Sequence, residues 1–233
     1  MSLQAVLAEI DPGWFAVADD AGIDQAAVDQ ARLEPALLAR ARVSALGERL
    51  LARWLVAGPA AALLAPTPQR EVGATALRWP RAKLQRLWRD LGVLGLAPAI
   101  RAEVGRNPVR RLKQALGNSY LLALDRSVWD GRVASETVQV MAAAMHAALA
   151  VQSEGHDALY ALFDRQGRSE LQAWGAEHDP ALGEWTMLLH PRAPVLPNYL
   201  PAAQVQLLIE HHGGREDAKA DTTHNTDDDD QQP

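Results

Sequence analysis

The sequence predicts an all-α fold, a compact orthogonal bundle of many helices ending in a disordered acidic tail. Apolar residues recur at helical spacing, most clearly Leu84, Leu87, Trp88 and Leu91 at i, i+3, i+4 and i+7. Glycine and proline fall where such stretches should start or stop. Strict alternation and hairpin signals are absent, so nothing argues for a sheet. A chain of 233 residues with 48% hydrophobic content can bury a substantial core. Aromatic residues are only 5% of it, so that core is built largely of Leu, Val and Ala in close-packed helices. Seven tryptophans against two phenylalanines is an unusual ratio, and large amphipathic rings are often spent on interfaces.

In chain order, Asp11-Pro12-Gly13 reads as a turn, with Trp14-Phe15 tucked against the body. Residues 35–57 read as one helix, with Pro35 at its first turn, Gly58-Pro59 as its stop, and a stripe through Leu38, Ala41, Ala45, Leu46, Trp54 and Leu55. Residues 66–80, with three prolines and a glycine, read as a loop. The helix after Pro80 should bury the Leu84 to Leu91 stripe and expose Lys83, Arg86 and Arg89. Asn107-Pro108 can supply the N-cap and first position of a helix ended by Gly117, with Val109, Leu112 and Leu116 on one face. A short helix then carries Tyr120, Leu121, Leu124 and Val128. A longer one follows Ser135, with Val138, Met141, Met145 and Leu149 within a narrow arc. Two or three helices fill residues 154–189 around Leu159, Leu162, Leu171, Trp174, Leu182 and Trp185. A proline-rich connector, His190 to Pro201, leads to a last helix with Val205, Leu208 and Ile209 on one face, stopped by Gly213-Gly214.

The net charge of −6 is unevenly spread. Residues 70–115 hold eleven basic and three acidic residues, whereas 215–233 hold two basic and seven acidic. A segment that acidic, without an apolar face, cannot offset the cost of ordering its backbone. The expected organisation is therefore a single helical domain over residues 1–214 and a disordered acidic tail over 215–233.

The absence of cysteine excludes a disulfide framework, cysteine-ligated zinc, iron–sulfur centres and thiol catalysis. No secretory signal is expected, because Glu9 and Asp11 interrupt the first apolar stretch. The longest apolar run, Leu55 to Ala65, is far short of the roughly 20 residues that span a bilayer. The histidines do not pair at ligand spacing: His178 with His190, or His211-His212 beside Glu210, place no two ring nitrogens convincingly on one helical face. Phosphate-cradling, nucleophile-elbow and zinc-protease signatures are missing. The carboxylates Glu136, Glu154, Asp157 and Glu170 are expected on solvated helix faces. Neither a cofactor, a metal nor a small-molecule substrate is expected, and the chain does not read as an enzyme.

The basic segment has two readings. Short helices joined by glycine, rich in arginine, resemble a helical DNA-binding regulator using residues 70–115. The acidic chain as a whole, and the scarcity of Asn, Gln and Ser beside the arginines, favour an arginine-rich protein–protein face.

The block from Leu84 to Trp129 resembles the middle of the type III secretion accessory proteins of the YscK, OrgA and MxiK kind. In those a leucine-rich helix ends in a Leu-Gly pair, an arginine follows, and a basic helix runs to a second Leu-Gly before a Tyr-containing helix. Here these elements are Leu91-Gly92, Arg101, Arg110 with Arg111, Leu116-Gly117 and Tyr120. The Asp-Pro-Gly-Trp at residues 11–14 is similar to an early Pro-x-Trp element. The resemblance implies a non-catalytic cytoplasmic adaptor of the secretion sorting platform, peripheral to the inner membrane. Its partners would be the inner-membrane ring and the pod protein that carries stator and ATPase, and membrane contact would come only through the ring. Candidate partner-binding residues are Arg86, Arg89, Arg101, Arg110 and Arg111.

Overall fold

The computed structural model describes residues 3–15, 34–65, 79–151 and 155–223, with side chains through residue 213. Among them the regular structure is helical and no strand occurs, so the fold is all-α. The helices are α1 (Leu3–Glu9), a 3₁₀ turn (Pro12–Phe15), α2 (Pro35–Val43), α3 (Ala45–Val56), α4 (Arg81–Gly95) and α5 (Ala97–Ala102). They continue with α6 (Arg106–Leu116), α7 (Ser119–Leu124), α8 (Ser135–Ala150), α9 (Asp157–His178), α10 (Pro180–Leu188) and α11 (Ala202–Thr223). The chain divides into two compact units, Met1–Pro80 with Leu171–Val195, and Arg81–Glu170 with Leu196–Pro233. Helix α9 gives its first part to the second unit and its last part to the first.

In the first unit, the stretch expected as one helix over residues 35–57 is two. Ser44 leaves the helical region (φ −107°, ψ 135°) and its hydroxyl accepts from the Gly47 amide at 3.1 Å, capping α3. That break resets the helical phase. Leu38, Gly47, Leu51 and Leu55 turn inward, while Leu46 (66% exposed) and Trp54 (45%), both placed in the stripe by a continuous helix, face out. Gly47 is required where α3 doubles back on α2, because a Cβ there would lie 2.3 Å from the Ala41 carbonyl oxygen. The 3₁₀ turn is tied at both ends: Asp11 N–H donates to the Leu188 carbonyl at 2.9 Å and the Trp14 indole donates to the His190 carbonyl at 2.7 Å. Glu184 of α10 accepts from the Ala62 and Leu63 amides at 3.0 and 2.6 Å, fixing the turn after α3.

The second unit is built on α4, which α7 and α11 flank. Leu84, Leu87, Trp88 and Leu91 are buried as the periodicity requires. Helix α4 does not stop at Leu91-Gly92 but runs to Gly95, because Gly92 is a crossing point rather than a terminator. A Cβ on Gly92 would meet the Phe163 carbonyl oxygen at 1.9 Å, and one on Gly167 would meet that of Trp88 at 1.7 Å, so α4 and α9 touch backbone to backbone. The other Leu-Gly pair does end a helix: Gly117 adopts φ 53°, and its amide donates to the Lys113 carbonyl at 3.0 Å. Met141, Met145 and Leu149 of α8 are buried, and Val205, Leu208 and Ile209 line the buried face of α11. Helix α11 passes through Gly213 and Gly214 to Thr223, since a glycine in a helix interior costs only about 1 kcal/mol and does not by itself terminate it. The acidic run Asp227 to Asp230 lies outside the described residues.

Candidate functional site

Helix α6 concentrates the charge of the basic segment on one face. Arg106, Arg110 and Lys113, at i, i+4 and i+7, are exposed in a row spanning roughly 10 Å along the axis. The opposite face, Leu112, Ala115 and Leu116, is buried. The helix begins two residues earlier than Asn107-Pro108 suggests: Gly105 is the cap, and Pro108 sits within the first turn, where its missing N–H has no intrahelical partner to lose. The Glu103 carboxylate accepts from the Gly105 amide at 2.6 Å and lies 2.5 Å from His146 Nε2. The bond with His146 foremost, then that with Gly105, holds its pKa below the ordinary glutamate value. Glu103 thus serves the start of α6 and leaves the arginines of its outer face unneutralised. No ion pair to Arg106 or Arg110 occurs among the described residues. Val104, 93% exposed, and Val109 border the cations, and with Gln114 these residues line an open concavity.

The five arginines singled out by sequence separate into two groups. Arg86 and Arg110 are exposed. Arg89 pairs with Asp164 through two bonds of 3.0 and 2.9 Å, and its guanidinium lies 4.1 Å from the Tyr160 ring centre, so it ties α4 to α9. Arg101 donates to the carbonyls of Ala123 (2.6 Å), Trp129 (2.8 Å) and Asp130 (3.0 Å), gathering the irregular segment after α7. Arg111 donates to the Leu149 carbonyl, where α8 ends. Lys83, expected on the basic outer face, is instead 5% exposed. Arg106 and Lys113 complete the row on α6, and the signal for them was the i, i+4, i+7 spacing of cations opposite an apolar face.

Two polar clusters test for chemistry. Ser119 Oγ donates to Asp90 Oδ1 at 2.5 Å, and His212 Nε2 lies 2.9 Å from Asp90 Oδ2. The carboxylate stands between hydroxyl and imidazole, whereas activation of a serine needs the imidazole against the hydroxyl. This wiring pins α7 and α11 to α4. Glu170, expected on a solvated face, is 1% exposed. Its carboxylate accepts from the Tyr199 and Leu200 amides and from Gln166 Nε2 at 2.9, 3.1 and 2.7 Å, anchoring the proline-rich connector. Burial pushes its pKa up, against these bonds, which pull it down. The reason sequence misplaces it is that the partners are backbone amides, which have no sequence signature. His178 stacks on Trp174 and His212 turns in to Asp90; among the described residues no three His, Asp or Glu side chains converge as a metal-ligand set. No helix among those residues is long and apolar enough to cross a membrane. Compared with known proteins, the chain matches no protein-family model, no curated protein and no solved structure.

Proposed function

We propose that the protein is a non-catalytic adaptor of a type III secretion sorting platform, acting in the cytoplasm and held at the inner membrane through its partners. It links the inner-membrane ring to the pod and ATPase complex, and it docks through the outer face of α6. The observation that carries this reading is the row Arg106, Arg110 and Lys113, bordered by the exposed Val104 and left without acidic partners among the described residues. Cations beside exposed apolar side chains suit an acidic protein surface, where desolvated ion pairs set register and partner choice. The resemblance of the Leu84 to Trp129 block supplies the machine; the α6 face supplies the mode of attachment.

The test is co-purification of the Arg106→Glu, Arg110→Glu, Lys113→Glu variant with the ring and pod proteins. If these ion pairs are buried at the interface, loss of one is worth about 2 to 5 kcal/mol, so partner recovery should fall by more than about tenfold while helicity is kept. Unchanged recovery removes this face from the interface.

One observation favours a second reading. Asn107 and Gln114 are exposed on α6 beside the cations, and these residue types read base edges in a major groove. A DNA-binding regulator would bind duplex DNA with a steep salt dependence, a slope near −0.9 per phosphate neutralised. Such binding, lost in the triple variant, would replace the adaptor.

A further inference from the structure

Helices α2 and α3 carry an apolar surface that the described residues of their own unit leave exposed. Leu37, Val43, Leu46, Leu50, Trp54 and Val56 are all exposed there, six of the fourteen large hydrophobic side chains exposed among the described residues. Scattered apolar residues on a surface need no explanation, but a contiguous group does. Leu46 (66%), Leu50 (59%) and Trp54 (45%) stand at i, i+4 and i+8, a ridge roughly 12 Å long. Gly47, Leu51 and Leu55 already fill the core-facing side of α3, so among the described residues the ridge takes no part in the core. It is also held in place, because the Trp54 indole N–H donates to the Trp14 carbonyl at 3.3 Å.

The rim of the ridge has one sign. Arg40, Arg49 and Arg53 are exposed, while the carboxylates of residues 34–57 are Glu34, at the very start of α2, and the half-buried Glu48. We propose that this ridge docks an amphipathic helix of an acidic partner protein. Leu46, Leu50 and Trp54 enter a groove between its side-chain ridges, and its flanking carboxylates face Arg49 and Arg53. A second copy of this chain is disfavoured, because a two-fold contact would set arginine against arginine across the same patch. The ridge shares no residue with the α6 face, and it stands or falls apart from the function proposed above.

The experiment uses the full chain and two labelled helical peptides of about 18 residues, five turns, with leucines four residues apart. One peptide carries glutamates beside the leucines, the other lysines at the same positions. Fluorescence anisotropy should show saturable binding of the glutamate peptide, at least about tenfold tighter than the lysine peptide. The Leu46→Ser, Leu50→Ser variant should lose at least about tenfold of that affinity with an unchanged melting temperature, and Arg49→Glu, Arg53→Glu should invert the preference between peptides. Equal affinity for both peptides, no saturable binding of either, or full binding by the leucine variant overturns the proposal. Concentration-dependent dimerisation in sedimentation, lost in the leucine variant, would assign the ridge to a second copy. Flotation with phosphatidylserine vesicles, lost in the same variant, would assign it to a membrane surface.

Discussion

Helices α3 and α4 are both amphipathic in sequence, and they spend their apolar residues differently. Helix α4 buries Leu84, Leu87, Trp88 and Leu91 and then every residue from Leu91 to Gly95, because α7, α9 and α11 surround it. Helix α3 buries Gly47, Leu51 and Leu55 and leaves Leu46, Leu50 and Trp54 outside. An apolar stripe therefore marks what a helix is able to bury. How many neighbours the helix has, and the phase at which it starts, decide what it does bury. The arginines divide less cleanly: on α4, Arg89 is drawn into a tie with Asp164 while Arg86 stays at the surface, as Arg49 and Arg53 do on α3.

The contrast is broken most directly in α4. Leu87→Ala removes a fully buried side chain where close packing leaves little room to relax, and it should cost about 2 to 5 kcal/mol in denaturant unfolding. A cost below about 1 kcal/mol would show that the surroundings of α4 collapse readily and are not close-packed. Glu170 tests the polar side of the same unit, since its carboxylate lies where a Cβ on Gly95 of α4 would come within 3.1 Å. Glu170→Gln turns an acceptor into a group with two N–H donors facing backbone amides, and it should cost about 1 to 3 kcal/mol. Because burial raises the folded pKa of Glu170, the folded state holds its proton more tightly than the unfolded chain does. Its contribution is therefore fully present below the ordinary glutamate value, about 4.3, and is lost as pH rises towards the raised value. The stability difference between wild type and Glu170→Gln should shrink over that range in urea titrations at successive pH; a difference that grows with pH would mean that the folded pKa is depressed.

Smaller effects belong to α3. Ser44→Ala removes the cap that sets the phase of α3 and should cost about 1 kcal/mol in the same unfolding assay. No loss would mean that the Gly47 crossing alone holds the break. Leu50→Ala should change stability by less than about 0.5 kcal/mol, because the side chain is 59% exposed. A cost approaching that of Leu87→Ala would erase the difference between the two helices and place the ridge in the core.

The sequence by itself determined the all-α class, most helix starts and most of the buried faces, because these depend on local spacing. The stripe of α4, the start of α8 at Ser135, the cap by Gly117 and the buried face of α11 all follow from residues within one or two turns of each other. Tertiary structure decided what depended on partners distant in sequence. Two Leu-Gly pairs read alike, yet Gly117 ends a helix through its own φ while Gly92 sits mid-helix because α9 crosses there, 71 residues on at Phe163. Arginines of equal charge became a tie to Asp164, a clamp on four carbonyls and an exposed pair on α6, according to which carbonyls and carboxylates folding brought within reach. Glu170 was drawn inside by the amides of Tyr199 and Leu200, and Leu46, Leu50 and Trp54 were turned outward by the break at Ser44. Backbone amides and close helix crossings satisfy side chains without leaving a pattern in the residues that provide them, so only the folded chain shows which charges and which leucines are left for a partner.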